Sequence, residues 1–152
     1  MAKQIISEEF RRMQKLAGLI NESENAIEQY IKNGSKGNLD LRDTGVTSLG
    51  NLKSVEGDIL DFKNSKLTSL GSLETVGGSL LIGDSPLTSL GNLKSVGDAA
   101  ALGNTKITSL GNLKSVGGDL MLFGTPIAEK FNEEQIRKMV NVKGKIKLTV
   151  EK

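Results

Sequence analysis

Thr108-Ser109-Leu110-Gly111-Asn112-Leu113-Lys114-Ser115-Val116 is the last of four near-copies of one phrase. The others begin at Thr47, Thr68 and Thr88, so the phrase returns after 21, 20 and 20 residues. A period that short, with leucines at fixed offsets, describes a solenoid rather than an ordinary globular core. One copy buries too little apolar surface to stay folded alone, so the copies must stack.

Working outward from the phrase, each copy aligns column by column. A strand column reads Leu39, Leu60, Leu80, Ala100, Leu120, and two residues on comes Leu41, Phe62, Ile82, Leu102, Leu122. That alternation predicts a short strand with one buried face. The remaining inward columns are Val46, Leu67, Leu87, Ile107, Ile127; the two leucines of the phrase; and its final valine. Gly50, Gly71, Gly91 and Gly111 predict a turn that needs positive φ or close packing. A hydroxyl precedes the first loop apolar in every copy (Thr44, Ser65, Ser85, Thr105, Thr125), and is expected to bond loop amides that no strand satisfies. Gly50-Asn51-Leu52-Lys53-Ser54 has a passing look of a phosphate loop. It lacks the spacing of a Walker motif, and its recurrence at 91 and 111 reads as scaffold.

A further copy is visible near the end, where Val142 to Leu148 matches Val116 to Leu122. The longer gap before it holds Asn132-Glu133-Glu134-Gln135, a capping-box-like helix start, followed by Ile136, Met139 and Val140 at helical spacing. The tail therefore reads as a helix plus a closing strand, with lysines at 143, 145 and 147 protecting the edge.

From Gly37 to Leu148 the pattern resembles the leucine-rich-repeat superfamily, in a short, Gly-rich variant with Thr or Ser where many members place Asn. The resemblance implies an α/β solenoid: an arc of about six short parallel strands, with loops on the other side. It implies a binding role without choosing a ligand. The chain divides into an N-terminal cap or docking segment (1–36), the repeats (37–127) and a C-terminal cap (128–152).

Within the first part, Ser7 to Asn21 carries Phe10, Met13, Leu16, Ala17 and Ile20 on one helical face, and a second helix is expected over Ser23 to Asn33, ended by Gly34. Phe10 to Glu22 resembles an N-terminal segment of predicted proteins from marine tailed phages, and Thr125 to Val140 is similar to tails of short repeat proteins from the same source. Ile20-Asn21-Glu22 fits a site cut by some phage prohead proteases. Those resemblances imply a virion component, in the capsid, the tail or the capsid interior, and a location in the virion or host cytoplasm.

Composition narrows the classes. Lys plus Arg number 20 against 18 Asp plus Glu, and aromatics are 3%, which argues against a nucleic-acid partner. No apolar run approaches ~20 residues and no signal-peptide segment opens the chain, so neither a membrane partner nor secretion by a leader is expected. Without His or Cys, a Ser-His-Asp or Cys-His site and the usual zinc sites are impossible. Only carboxylates remain for acid–base work. Asp40 and Asp61 are expected side by side on outward strand faces, yet Arg42 and Lys63 flank them as in a solvated charge ladder. No enzymatic activity and no cofactor are expected.

The outward strand face runs from Asn38, Asp40, Arg42, Asp61 and Lys63 to an apolar patch of Leu81, Ala101, Met121 and Phe123. Together with Phe10 and Met13, these residues are the candidates for contact with a protein partner or another copy of the chain. A non-virion module binding a host or bacterial protein is the competing reading; a glycan-binding adhesin lacks aromatic platforms. Ala100, in a column otherwise leucine, marks either a filled site or the least stable repeat.

Overall fold

The computed structural model describes residues 22–42, 44–61 and 66–149, with side chains from Ala26 onward. The chain winds as a parallel β-solenoid with two sheets. Helix α1 (Glu22–Lys32) leads into β1 (Leu39–Asp40), β2 (Ser54–Val55), β3 (Ile59–Leu60), β4 (Thr75–Val76), β5 (Leu80–Leu81), β6 (Ser95–Val96), β7 (Ala100–Ala101), β8 (Ser115–Val116) and β9 (Leu120–Met121). Helices α2 (Pro126–Lys130) and α3 (Glu133–Met139) follow, then β10 (Asn141–Val142) and β11 (Ile146–Lys147). Odd-numbered strands stack in chain order into a six-stranded sheet; β2, β4, β6, β8 and β10 stack into a five-stranded one.

The six-stranded sheet matches the expected stack of about six short parallel strands, but between Leu39 and Met121 the described residues form strands and turns without helix, so the solenoid is β rather than α/β. The second sheet stands where loops were expected. Each of its strands contributes a single inward valine beside a small polar residue. Two residues with one apolar member show no alternation for a sequence reading to find.

Between the sheets lie the inward columns. Leu49, Leu70, Leu90 and Leu110, then Leu52, Leu73, Leu93 and Leu113, and the valines ending each phrase are all buried in one continuous core. The turn glycines behave as expected, with φ of 56°, 58°, 55° and 55° at Gly50, Gly71, Gly91 and Gly111. Each of those amides donates to the serine hydroxyl two residues earlier, at 2.9–3.0 Å, closing a local turn that four phrases repeat.

Two expectations need correction. The strand column passes through Ile59, not Leu60: Leu39 pairs with Ile59 and Ile59 with Leu80. The extra residue of the 21-residue spacing therefore lies after the strand, between Ile59 and Thr68, while Leu60 moves to the outer face. Asp61 correspondingly turns inward and is 3% exposed, so it forms no outward pair with Asp40. Phe62, Lys63 and Ser65 lie outside the described residues.

The hydroxyl column also differs from expectation. Thr44, Thr105 and Thr125 donate to the carbonyls of Leu41, Leu102 and Leu122 at 2.7, 2.8 and 2.6 Å, three residues back. Of these three, Thr44 and Thr125 accept an amide as well, from Val46 at 3.4 Å and Ala128 at 3.2 Å. Ser85, one carbon shorter, is buried with its hydroxyl unpartnered among the described residues.

The five-stranded sheet is closed at both ends by side chains. At its start, Ile27 and Tyr30 of α1 are buried, and the Tyr30 hydroxyl bonds the carbonyls of Ser35 and Gly37 at 2.9 and 2.7 Å. Those carbonyls also receive the amides of Glu56 and Gly57, so residues 35–37 stand in for a preceding rung. The helix expected over 23–33 is thus present as α1; the one expected over Ser7 to Asn21, with Phe10 and Met13, lies outside the described residues.

At the far end, α3 begins with the anticipated capping box, Asn132 and Gln135 exchanging side-chain and backbone bonds at 2.9 Å. Ile136 and Val140 are buried, whereas Met139 is 44% exposed and stands off the core. Arg137 reaches from α3 to the carbonyls of Val142 and Gly144, both at 2.8 Å. In earlier rungs those positions accept amides from the next turn of the solenoid, as Val96 does from Gly117. A guanidinium has replaced the missing rung.

Candidate functional site: two outer faces

On the six-stranded sheet, strand register places Asp40, Leu60, Leu81, Ala101, Met121 and Lys147 in one outward row. Leu60 to Met121 and Lys147 are half-buried; Asp40 is exposed. Three of the expected contact residues, Leu81, Ala101 and Met121, are therefore adjacent. Phe123 stands beside them rather than among them, half-buried, its ring occupying the space over Gly103. Leu60 belongs to the same row and was missed through the register slip described above.

Asp40 ends the row in a two-pronged bond to Arg42, at 2.9 and 2.7 Å, and this holds its carboxyl below the usual carboxylate range. Beside the row, side chains stitch one rung to the next. Asn38 accepts the amide of Asp58 at 2.8 Å, Asp58 that of Ser79 at 2.7 Å, Ser79 that of Ala99 at 3.3 Å, and Asp119 that of Lys145 at 2.8 Å. The acidic groups of Asp58 and Asp119 thus bond backbone amides of the next rung.

The opposite face carries a groove of about 750 Å³ along the five-stranded sheet. Ser54, Thr75, Ser95, Ser115 and Asn141 form its outward polar row, one from each strand. Gly77, Gly97 and Gly117 form a second row, where a Cβ would press into the carbonyl one rung earlier. The groove therefore has small polar side chains along its length and bare backbone in its middle rungs, with Lys36 and Glu56 at one end and Lys143 at the other. Beside the groove, Lys94 bonds Glu74 at 3.0 Å and draws its carboxyl below the ordinary value.

The sequence reading had no candidate in this groove. Its signal was the serine or threonine before the last valine of each phrase, which a scaffold explanation absorbed. Among the described residues no cluster of three or more acidic side chains is placed to hold a metal ion, and no helix is long and apolar enough to cross a membrane. Compared with known protein families, with curated proteins and with solved structures, the chain matches none.

Proposed function

We propose that this chain is a non-enzymatic interaction and structural scaffold that seats an extended segment of a partner protein along the groove of the five-stranded sheet. The carrying observation is the groove itself: five successive strands present one small polar side chain each, next to backbone that glycine leaves uncovered. At ~4.8 Å per strand the row runs roughly 19 Å, the span of about six residues of extended chain. Lys143 at one end favours an acidic residue of the segment there, whereas Lys36 and Glu56 offset each other at the other end.

The setting we propose is a phage virion, in which a leucine-rich-repeat-like solenoid acts as a decoration, tail or internal capsid component. The resemblance of the two terminal segments to marine phage proteins supports it. A non-virion module for a host or bacterial protein uses the same groove. Crosslinking mass spectrometry on purified particles of the encoding phage separates the two. The virion reading expects the chain among the particle proteins, with crosslinks from Lys36 and Lys143 converging on one neighbour. Its absence from particles overturns the virion setting, and crosslinks that bypass both lysines overturn the groove.

A further inference from the structure

The outward row of the six-stranded sheet is self-complementary, and we propose that this face pairs with the same face of a second copy of the chain. Read along the stack, the row is acidic, bulky, bulky, small, bulky, basic: Asp40, Leu60, Leu81, Ala101, Met121, Lys147. A two-fold axis parallel to the strands reverses the rung order of the second copy while keeping the row in line. Asp40 then faces Lys147, Leu60 faces Met121, and Leu81 faces Ala101, with each relation repeated by symmetry. At both ends Lys147 meets the carboxylate of the Asp40–Arg42 ion pair, and a large side chain meets a small one at the centre. An isologous contact requires this kind of palindrome.

The flanking rows agree with that arrangement in most places. Asn38 faces Lys145, Ser79 faces Ala99, and Gly83 faces Gly103. Asp58 faces Asp119, an unfavourable apposition. Each of those carboxylates is bonded along its own sheet, to the amides of Ser79 and Lys145, and Lys145 lies one rung from Asp119. The alternative axis, along the stack, would set Asp40 on Asp40 and Lys147 on Lys147. Charge therefore selects the first.

Size sets the strength. Six strands at ~4.8 Å and three outward rows about 6.6 Å apart give a footprint of roughly 300–550 Å² per copy, under the ~800 Å² of a tight complex. The dimer is consequently weak and concentration-dependent, unless copies are held close in an assembly. It goes beyond the groove reading and does not depend on it. The two grooves would point away from each other, so one dimer offers two identical sites.

Sedimentation velocity over rising concentration tests the pairing. A monomer–dimer equilibrium is expected, and Ala101→Glu should weaken it roughly tenfold or more by setting like charges near the two-fold axis. Lys147→Glu should weaken it too, and adding Asp40→Lys in the same chain should restore it. Those two positions sit at the ends of the face, where substitution spares the core; circular dichroism confirms that each variant is folded. A chain that stays monomeric throughout overturns the proposal, as does a dimer indifferent to Ala101→Glu or a charge swap without recovery. A monomer in which Leu81→Glu newly opens residues 1–21 to proteolysis assigns the face to that segment, and equally overturns it.

Discussion

The two sheets stack the same rungs, yet they treat side chains in opposite ways. In the five-stranded sheet, the residue after each strand in the middle rungs is Gly77, Gly97 or Gly117, and a Cβ there would collide with backbone. The six-stranded sheet carries Leu60, Leu81 and Met121 outward without such crowding. Their ends differ as well. Tyr30 and Arg137 close the five-stranded sheet, whereas alternation leaves the amides of Ile146 and Leu148 pointing past the last rung of the other. One face is constrained by backbone contact and uniform from rung to rung; the other has room to vary, and its variation supplies the row on which the proposed pairing rests.

Breaking the constrained face should have the largest effect. Gly97→Ala sets a methyl against the Gly77 carbonyl, and no side-chain rotation relieves it. Overpacking of that kind costs about 2–3 kcal/mol, or roughly 5–10 °C in Tm for a chain of this size. Gly103→Ala on the opposite sheet is the control, since the three atoms nearest its methyl all belong to the Phe123 ring, which can move. Its loss should stay below ~1 kcal/mol. Equal losses at 97 and 103 in thermal melts would remove the distinction between the sheets.

The difference also explains what was legible beforehand. Uniform rungs advertise themselves: the phrase gives the period, the inward leucines and the turn glycines, because every copy must satisfy the same contacts. The second sheet was hidden by the shortness of its strands, where Ser95-Val96 offers one apolar residue and no alternation. Rung two slipped because Ile59 and Leu60 are both apolar, and either can fill a leucine column on paper. Only the pairing of Ile59 with Leu39 and Leu80 decides between them, and that register is a property of the stack. The groove stayed invisible for a related reason: its polar row recurs so regularly that it looks like scaffold.

A smaller effect sharpens the contrast at the ends. Arg137→Ala frees the carbonyls of Val142 and Gly144 and removes the 3.0 Å pair with Glu133. The site is partly exposed, so the stability loss should be about 1 kcal/mol. Hydrogen exchange is the more telling measurement. The amides of Asn141 and Lys143, which hold β10 to β8, should exchange faster, while Leu120 and Ala100 on the other sheet keep their protection. Acceleration of both sets alike would mean that the last rung frays as a unit and that the guanidinium does not cap one sheet selectively.

The opposite end should respond least, and only in alkali. Burial pushes the Tyr30 hydroxyl above its ordinary pKa of 10.0, because the phenolate would lose hydration beside two carbonyls. In the unfolded chain the same group ionises first. Its contribution is therefore complete below the unfolded value of about 10 and is lost as pH rises through the higher folded one. Tyr30→Phe removes the bonds to Ser35 and Gly37, at a cost of about 1 kcal/mol near neutrality. It also removes this titration, so the gap between parent and variant melting temperatures should narrow above pH 10. A gap that is constant from neutral pH into alkali would show that Tyr30 anchors the first rung by packing alone. The ring against Ile27 would then close the five-stranded sheet, and the hydroxyl would be incidental.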